Sequence, residues 1–262
     1  MSKRHEGKNM LVTGAAGAIG FATCEILARE GARVFMVDIN EGGLAERVQA
    51  MTDAGFEVIG HVADCADEAA TIGYADAALG AFGQVDGFFN NAGIEGELAP
   101  THTYKADEFD KVIRVNLRGI FLGLRYVLPD MVRRGSGAVV NTASIGSELG
   151  LAGACAYNAS KHGVLGLTRT AASEVAQKGV RVNCVEPGVI ETPLLVGMLE
   201  QMFDSVAAGM AKLGEVATLN RVGQPEEVGR VVSFLLSDEA SYVNGAKWEI
   251  DGGALATIRN DI

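Results

Sequence analysis

The stretch TGAAGAIG, residues 13–20, decides the fold. It follows the apolar run NMLVT and opens a segment with helical periodicity. Gly14 permits a tight turn, Gly17 lets the main chain approach a phosphate, and Gly20 lets helix and sheet pack closely. With Ala18 and Ile19, these residues form a helix start, which offers free N–H groups and a positive dipole end to a pyrophosphate. A glycine pattern alone is weak. Here a strand precedes it, a helix follows it, and an acid, Asp38, lies 24 residues past Gly14. That context favours a dinucleotide site over a glycine turn without function.

Working outward, short apolar runs at residues 9–13, 33–38, 56–62, 85–91, 137–144 and 180–188 read as strands, with a final short one at 247–251. They lack strict alternation, as expected of strands covered on both faces. Helical segments such as 17–30, 41–54 and 109–134 lie between them. The last contains Pro129, where a helix is expected to kink or end. This alternation predicts right-handed βαβ units and an α/β, Rossmann-type doubly wound parallel sheet of about seven strands, with helices on both faces. No linker or repeat interrupts residues 1–262, so one domain is expected. Residues 191–221 break the rhythm, with Leu194, Leu195, Met198, Leu199, Met202, Phe203, Met210 and Leu213 around Gly197, Gly209 and Gly214. They read as one or two amphipathic helices on flexible joints. An ordinary helical insert and a mobile substrate lid both fit, and the position favours the lid.

The formal net charge of −11 argues against nucleic acid or an anionic membrane as a main partner. Cys24, Cys65, Cys155 and Cys184 form no CxxC pair and lie near no His at metal-ligand spacing. Free thiols in a reducing, cytoplasmic compartment are expected, and no metal site. The basic MSKRHEGK and the apolar run after it superficially suggest a signal peptide. The glycines and the lack of a usual cleavage site favour a strand and turn. No run of about 18 apolar residues predicts a transmembrane helix. Asn158-Ala159-Ser160 matches a glycosylation sequon, which has meaning only on the secretory route.

Asp38 ends the second strand. A carboxylate there accepts hydrogen bonds from ribose hydroxyls and repels a 2′-phosphate, and the glycine loop holds no Lys or Arg to welcome one. NAD is therefore expected over NADP. Ser144 ends the fifth strand, and Tyr157 and Lys161 follow 13 and 17 residues later on a predicted helix. Four apart, Tyr157 and Lys161 share a helix face. Lowering a phenol's pKa by about 3 takes roughly 4 kcal/mol, within reach of a lysine ammonium and a bound nicotinamide in a partly dry site. Tyr157 would then pass a proton to or from the substrate oxygen, with the Ser144 hydroxyl bonded to that oxygen. Singly, Tyr157 reads as a packed aromatic and Ser144 as a turn residue. Together, with the glycine loop and Asp38, they read as a catalytic set. His5, His61, His102 and His162 are scattered, and His162 points about 100° away from Lys161 on a helix. Glu95 and Glu97 either rim the pocket or sit on a solvated loop.

With these motifs the chain resembles the short-chain dehydrogenase/reductase family over residues 7–253. Ser144, Tyr157 and Lys161 match its catalytic residues, and Asn90, Asn91, Ala92 and Gly93 match its NNAG motif, which approaches the cofactor. The resemblance implies that Asn116 joins a proton relay through water and the lysine. It implies that Asp64 meets the adenine, with Cys65 where an apolar residue is more usual. It implies that Pro187, Gly188, Ile190 and Thr192 border the nicotinamide, and that Lys161 reaches the nicotinamide ribose. It also implies a homotetramer paired through helices 109–134 and 157–177. The segments DGFFNNAGIEG and LRGIFLGL are similar to levodione-reductase-like members, which act on cyclic ketones. An NAD(H)-dependent oxidoreductase of an apolar, cyclic or aromatic secondary alcohol or ketone is thus expected. Two other readings stay open: a non-catalytic NAD-binding sensor or scaffold, and a 3-oxoacyl-carrier-type ketoreductase, which the acidic chain disfavours. Enoyl reductases of the family space their Tyr and Lys more widely.

Overall fold

The computed structural model describes residues 3–256. Strand β1 (Asn9–Thr13) leads to helix α1 (Ala18–Arg29), and β2 (Arg33–Asp38) to α2 (Glu41–Asp53). Strand β3 (Val58–Val62) precedes α3 (Glu68–Phe82), and β4 (Gly87–Asn90) precedes α4 (Ala106–Ile113) and α5 (Gly119–Arg134). Strand β5 (Gly137–Thr142) is followed by α6 (Cys155–Val175) and β6 (Val180–Pro187). Helices α7 (Pro193–Met202), α8 (Val206–Gly214) and α9 (Pro225–Leu236) precede β7 (Lys247–Ile250). The seven strands form one parallel sheet in the order β3-β2-β1-β4-β5-β6-β7. The order reverses between β1 and β4, which opens a crevice at the carboxyl ends of the strands.

Each face of the sheet carries its own core. Tyr74 of α3, Ile120 and Leu124 of α5 and Val164 of α6 pack on Leu11, Phe35, Phe88 and Val139. Leu27 of α1, Met51 of α2 and Val232 and Leu235 of α9 pack on Met10, Val34, Phe89 and Val140. Side chains alternate across the pleat, so each strand feeds both layers, and the runs read as continuously apolar. The edge strand β3 departs from that expectation: Ile59 is 37% exposed and Val62 50%. One of its sides has no strand to cover it.

The segment read as one helix over 109–134 is interrupted, though not at Pro129. A π turn at Arg114–Arg118 separates α4 from α5, and α5 runs through Pro129 to Arg134. The helical bond lost at Pro129 is outweighed by the burial of Val127 and Met131 on either side. The lid glycines also differ from expectation. Gly197 lies inside α7, and Gly209 and Gly214 lie inside α8. A Cβ on Gly209 would meet Leu199 Cδ2 at 2.7 Å, so this glycine lets α7 and α8 pack closely. The joint is Phe203–Ser205, where Phe203 ends α7 in extended backbone and the Ser205 side chain caps α8. Among the described residues no helix is long and apolar enough to cross a membrane.

A buried polar line stitches the sheet to the helices around the crevice. Asn90 Nδ2 donates to Ile120 O at 2.9 Å and to Asn141 Oδ1 at 3.2 Å, and Asn141 Nδ2 donates to Thr168 Oγ1 at 3.0 Å. Removing one member leaves the others buried without partners. Asn90→Ala is therefore expected to destabilise the fold by about 2 kcal/mol, read as a lower urea midpoint at unchanged m-value.

Candidate active site

The glycine turn is forced by contact. Gly14 has φ +66°, and a Cβ there would stand 2.9 Å from Asn91 Nδ2 and 3.0 Å from Ala92 Cα. A Cβ on Gly20 would stand 2.1 Å from Gly14 O. Gly17 is the N-cap of α1 and supplies no side-chain cap, so the first amides of α1, including those of Ala18 and Ile19, face the crevice without a protein oxygen from that position. Asp38 is held at the mouth of the turn: its Oδ2 accepts from Ala16 N and its Oδ1 from Asn40 N, each at 2.9 Å. Two fixed backbone donors leave the carboxylate aimed, with lone pairs to spare.

The carboxyl ends of β1, β4 and β5 are laced together. Thr13 Oγ1 accepts from Asn91 N at 2.9 Å and from Ala92 N at 3.2 Å. Asn91 Nδ2 donates to Thr13 O at 3.1 Å, and Thr142 Oγ1 donates to Asn91 Oδ1 at 2.9 Å. Beyond β3, Asp64 takes Ala66 N on Oδ1 and the guanidinium of Arg114 on Oδ2. Next to it Cys65 is buried, which pushes its thiol up to about 12 and leaves it a small apolar wall. At the far end, Pro187 closes β6, and Gly188 N donates to Ile250 O. Ile190 forms a bridge with Gly223, and Thr192 Oγ1 accepts from Leu195 N to cap α7. Apart from Tyr157 and Lys161 on α6, the residues expected to meet a dinucleotide thus follow the carboxyl end of a strand or close one.

Ser144, Tyr157 and Lys161 lie on the β5 side. Ser144 stands two residues past the end of β5, not on it, and caps a short 3₁₀ turn, Ile145–Ser147. Its Oγ accepts from Gly146 N at 3.1 Å, while Ser147 Oγ accepts from Ser144 N at 3.2 Å. Tyr157 and Lys161 occupy the first two turns of α6, with the lysine nitrogen 5.6 Å from the phenol ring centre. Lys161 is 4% exposed and donates to Thr142 O at 2.8 Å. Among the described residues no carboxylate lies within ion-pair distance of it, and burial pushes its pKa down to about 8. Asn116, fully buried in the π turn, clamps Ile94 from both sides: Nδ2 donates to Ile94 O at 2.7 Å and Oδ1 accepts from Ile94 N at 2.8 Å. It also donates to Ser160 Oγ at 3.3 Å. A Cβ on Gly93 would stand 3.2 Å from Asn116 Oδ1 and 3.6 Å from Lys161 Nζ, so the NNAG turn, Asn116 and the lysine converge.

Without a cofactor, the protein's own groups hold the phenol back from ionisation. Burial pushes the Tyr157 pKa above its ordinary value, a hydrogen bond with Ser144 counters this, and the Glu95 carboxylate pushes it further up. Glu95 thus faces the site, while Glu97 pairs with Lys105 at 3.3 Å on the surface. His162 is exposed and bonds Asn158 O at 2.9 Å, away from the triplet. Three contributors escaped the sequence reading: Thr13, Thr142 and Ser147. Only Ser147 carried a signal, the capping-box spacing from Ser144.

A nicotinamide dinucleotide fits this crevice: an uncapped helix start, an aimed acid for a ribose, and a buried ammonium with donors to spare. The chain belongs to the short-chain dehydrogenase/reductase family and is a nicotinamide-dependent oxidoreductase. A family model described as enoyl-(acyl carrier protein) reductase matches residues 14–254. Levodione reductase of Leifsonia aquatica is 44% identical over 97% of this chain and 96% of its own length. Cyclohexanol dehydrogenase of Acinetobacter sp. (strain SE19) is 40% identical over 96% of each. The crystal structure of levodione reductase superposes with a TM-score of 0.92, covering 97% of this chain and 100% of that one. That of NAD+-bound xylitol dehydrogenase superposes at 0.90 with 33% identity, covering 95% and 100%.

The buried ammonium has a measurable cost. A fall in pKa from the ordinary 10.5 to about 8 corresponds to about 3 kcal/mol of destabilisation. The unfolded chain binds the proton more tightly, so this penalty is complete below about pH 8 and fades as pH rises toward 10.5. Unliganded Lys161→Met is therefore expected to be more stable than the parent at pH 7. The gap in denaturation free energy should shrink to about half or less near pH 9.5.

Proposed function

We propose that the chain is an NAD(H)-dependent dehydrogenase/reductase of apolar cyclic secondary alcohols and ketones. The observation that carries the reading is the convergence of Ser144, Tyr157 and Lys161 beside the NNAG turn, opposite a glycine turn governed by Asp38. The relatives' substrates, levodione and cyclohexanol, support the cyclic class. The four-residue spacing of Tyr157 and Lys161 supports carbonyl over enoyl reduction. Asp38 supports NAD, since its fixed charge meets ribose hydroxyls and repels a 2′-phosphate.

The bound nicotinamide supplies or accepts the hydride. In reduction, Tyr157 passes its proton to the carbonyl oxygen, and in oxidation it takes the alcohol proton. Ser144 Oγ holds the same oxygen, its direction set by Gly146 N. Because burial and Glu95 raise the phenol's pKa, its ionisation depends on both cations, Lys161 and the oxidised nicotinamide. The phenol is thus a ready proton donor for reduction before oxidised cofactor arrives. Lys161 swings a donor from Thr142 O toward the ribose, and Asn116 holds Ile94 and with it the floor of the site.

Helices α7 and α8 act as a substrate lid over residues 191–221. A cavity of about 460 Å³ behind them, lined by Ile190, Leu213, Val216, Leu219 and Ile250, gives the lid room to move. Ser144, Tyr157 and Lys161 do not line that cavity. Free Cys24, Cys65, Cys155 and Cys184 support a reducing, cytoplasmic setting. Assembly as a homotetramer through the long helices is supported by Phe109 and Phe121, exposed on α4 and α5.

Following NADH absorbance across cyclic and aryl alcohols and ketones tests the reading. Tyr157→Phe should lose about a hundredfold or more in kcat, and full turnover in that variant overturns the role. Asp38→Ala should raise the KM for NADH about tenfold or more, and a parent enzyme that prefers NADPH overturns the cofactor choice.

A further inference from the structure

Strand β6 carries a residue that the proton chemistry leaves unused. Glu186 is fully buried, immediately before Pro187. Its Oε2 lies 3.4 Å from Lys247 Nζ, while its Oε1 has no hydrogen-bond partner among the described residues. Burial pushes its carboxyl up from the usual range. A half-satisfied buried carboxylate beside the cofactor crevice is costly and calls for a reason.

The reason lies in what shares its lysine. Lys247 opens β7 and gathers three carboxylates: Glu249 at 2.7 Å, Glu148 at 3.2 Å and Glu186 at 3.4 Å. Glu186 and Glu249 are opposite residues of β6 and β7. Glu148 belongs to neither strand. It closes the 3₁₀ turn that Ser144 opens, and its N–H donates to Ile145 O. The other end of that turn is also fixed on β6, because Ala143 N donates to Val185 O at 2.9 Å. The serine turn is therefore gripped twice, by the main chain of β6 just before Ser144 and by the Lys247 ammonium of β7 just after Ser147.

We propose that Lys247 is a positioning residue for Ser144: it clamps the serine turn to β6 and β7 and thereby aims the hydroxyl at the substrate oxygen. The inference rests on the reading of Ser144 as the group that holds that oxygen. Inside the turn, the Gly146 amide donates to the Ser144 side chain, which also hydrogen-bonds Tyr157 of α6, and Ser147 returns to Ser144 N. The turn's own backbone bonds, from Ser147 N to Ser144 O and from Glu148 N and Leu149 N to Ile145 O, are all local, and the link from Glu148 to Lys247 ties it to the sheet from outside. Glu186 is the buried anchor that keeps the lysine over the turn.

The experiment compares the full-length parent with Lys247→Met, Lys247→Arg, Glu148→Ala and the Lys247→Met/Glu148→Ala pair. Steady-state kinetics use a cyclic secondary alcohol the parent oxidises, and amide exchange at Gly146 and Ser147 is followed without substrate. Lys247→Met and Glu148→Ala should each lower kcat about tenfold, with the KM for NAD within about twofold of the parent. The pair should fall no further than either alone, because both remove one link. Lys247→Arg should recover most of kcat, and the two amides should exchange about tenfold faster in Lys247→Met. Glu148 is a surface residue, so its variant keeps the test alive if Lys247→Met folds poorly. Parental kcat and parental exchange in a folded variant would overturn the clamp, as would losses that simply multiply in the pair. Should the parent turn over none of these alcohols, the substrate reading fails, and the exchange rates still decide the clamp.

Discussion

At position 20 there is room for a hydrogen and nothing more, because the carbonyl of Gly14 fills the space where a side chain would begin. This contact closes the turn between the first strand and the first helix. It brings the helix start against the strand ends and leaves its amides open to the crevice. The same turn presses Gly14 on Asn91 and Ala92, so the first and fourth strands end in register at the point where the sheet order reverses. Asp38, Thr13 and Asn91 then lock around it. The cofactor side is a consequence of one close approach, reinforced by side chains that each use two bonds.

The catalytic side is built on different terms. Among the described residues Lys161 is buried without a partner carboxylate, and burial makes Tyr157 less acidic than a phenol in water. Desolvation disfavours the charged form of each group, the Lys161 ammonium and the Tyr157 phenolate, so the fold bears a cost at α6 for burying them together. The surrounding polar line from Asn90 to Thr168, with no unmet partner of its own, holds the helix to the sheet while the two reactive groups remain strained.

Much of this was legible in the sequence because it rests on local rules. The glycine turn, the acid at the end of the second strand and the four-residue step from Tyr157 to Lys161 are spacing statements, and the structure brings those residues to one crevice. What was not legible depends on contacts between distant segments. Gly209 looked like a joint and is a packing surface, because Leu199 comes from another helix. Pro129 looked like a helix end, yet neighbouring buried side chains carry the helix past it. Desolvation of Tyr157 and the nearby Glu95 carboxylate, which raise the phenol's pKa in the cofactor-free protein, follow from tertiary packing that no spacing rule reveals. Thr13 and Thr142 act through oxygen atoms on neighbouring strands, and nothing in their own segments announces it.

The π turn at Arg114–Arg118 works as a phase shift in an otherwise continuous rod. One extra residue per turn offsets the faces before and after it by about 100°. Arg114 reaches Asp64 while Asn116, two residues on, points inward to Ile94 and Ser160. Chain length between Phe109 and Arg134 is therefore as tightly constrained as the identity of Asn116. Along that stretch a single deletion would be more damaging than most substitutions, since it would turn one end of the rod against the other.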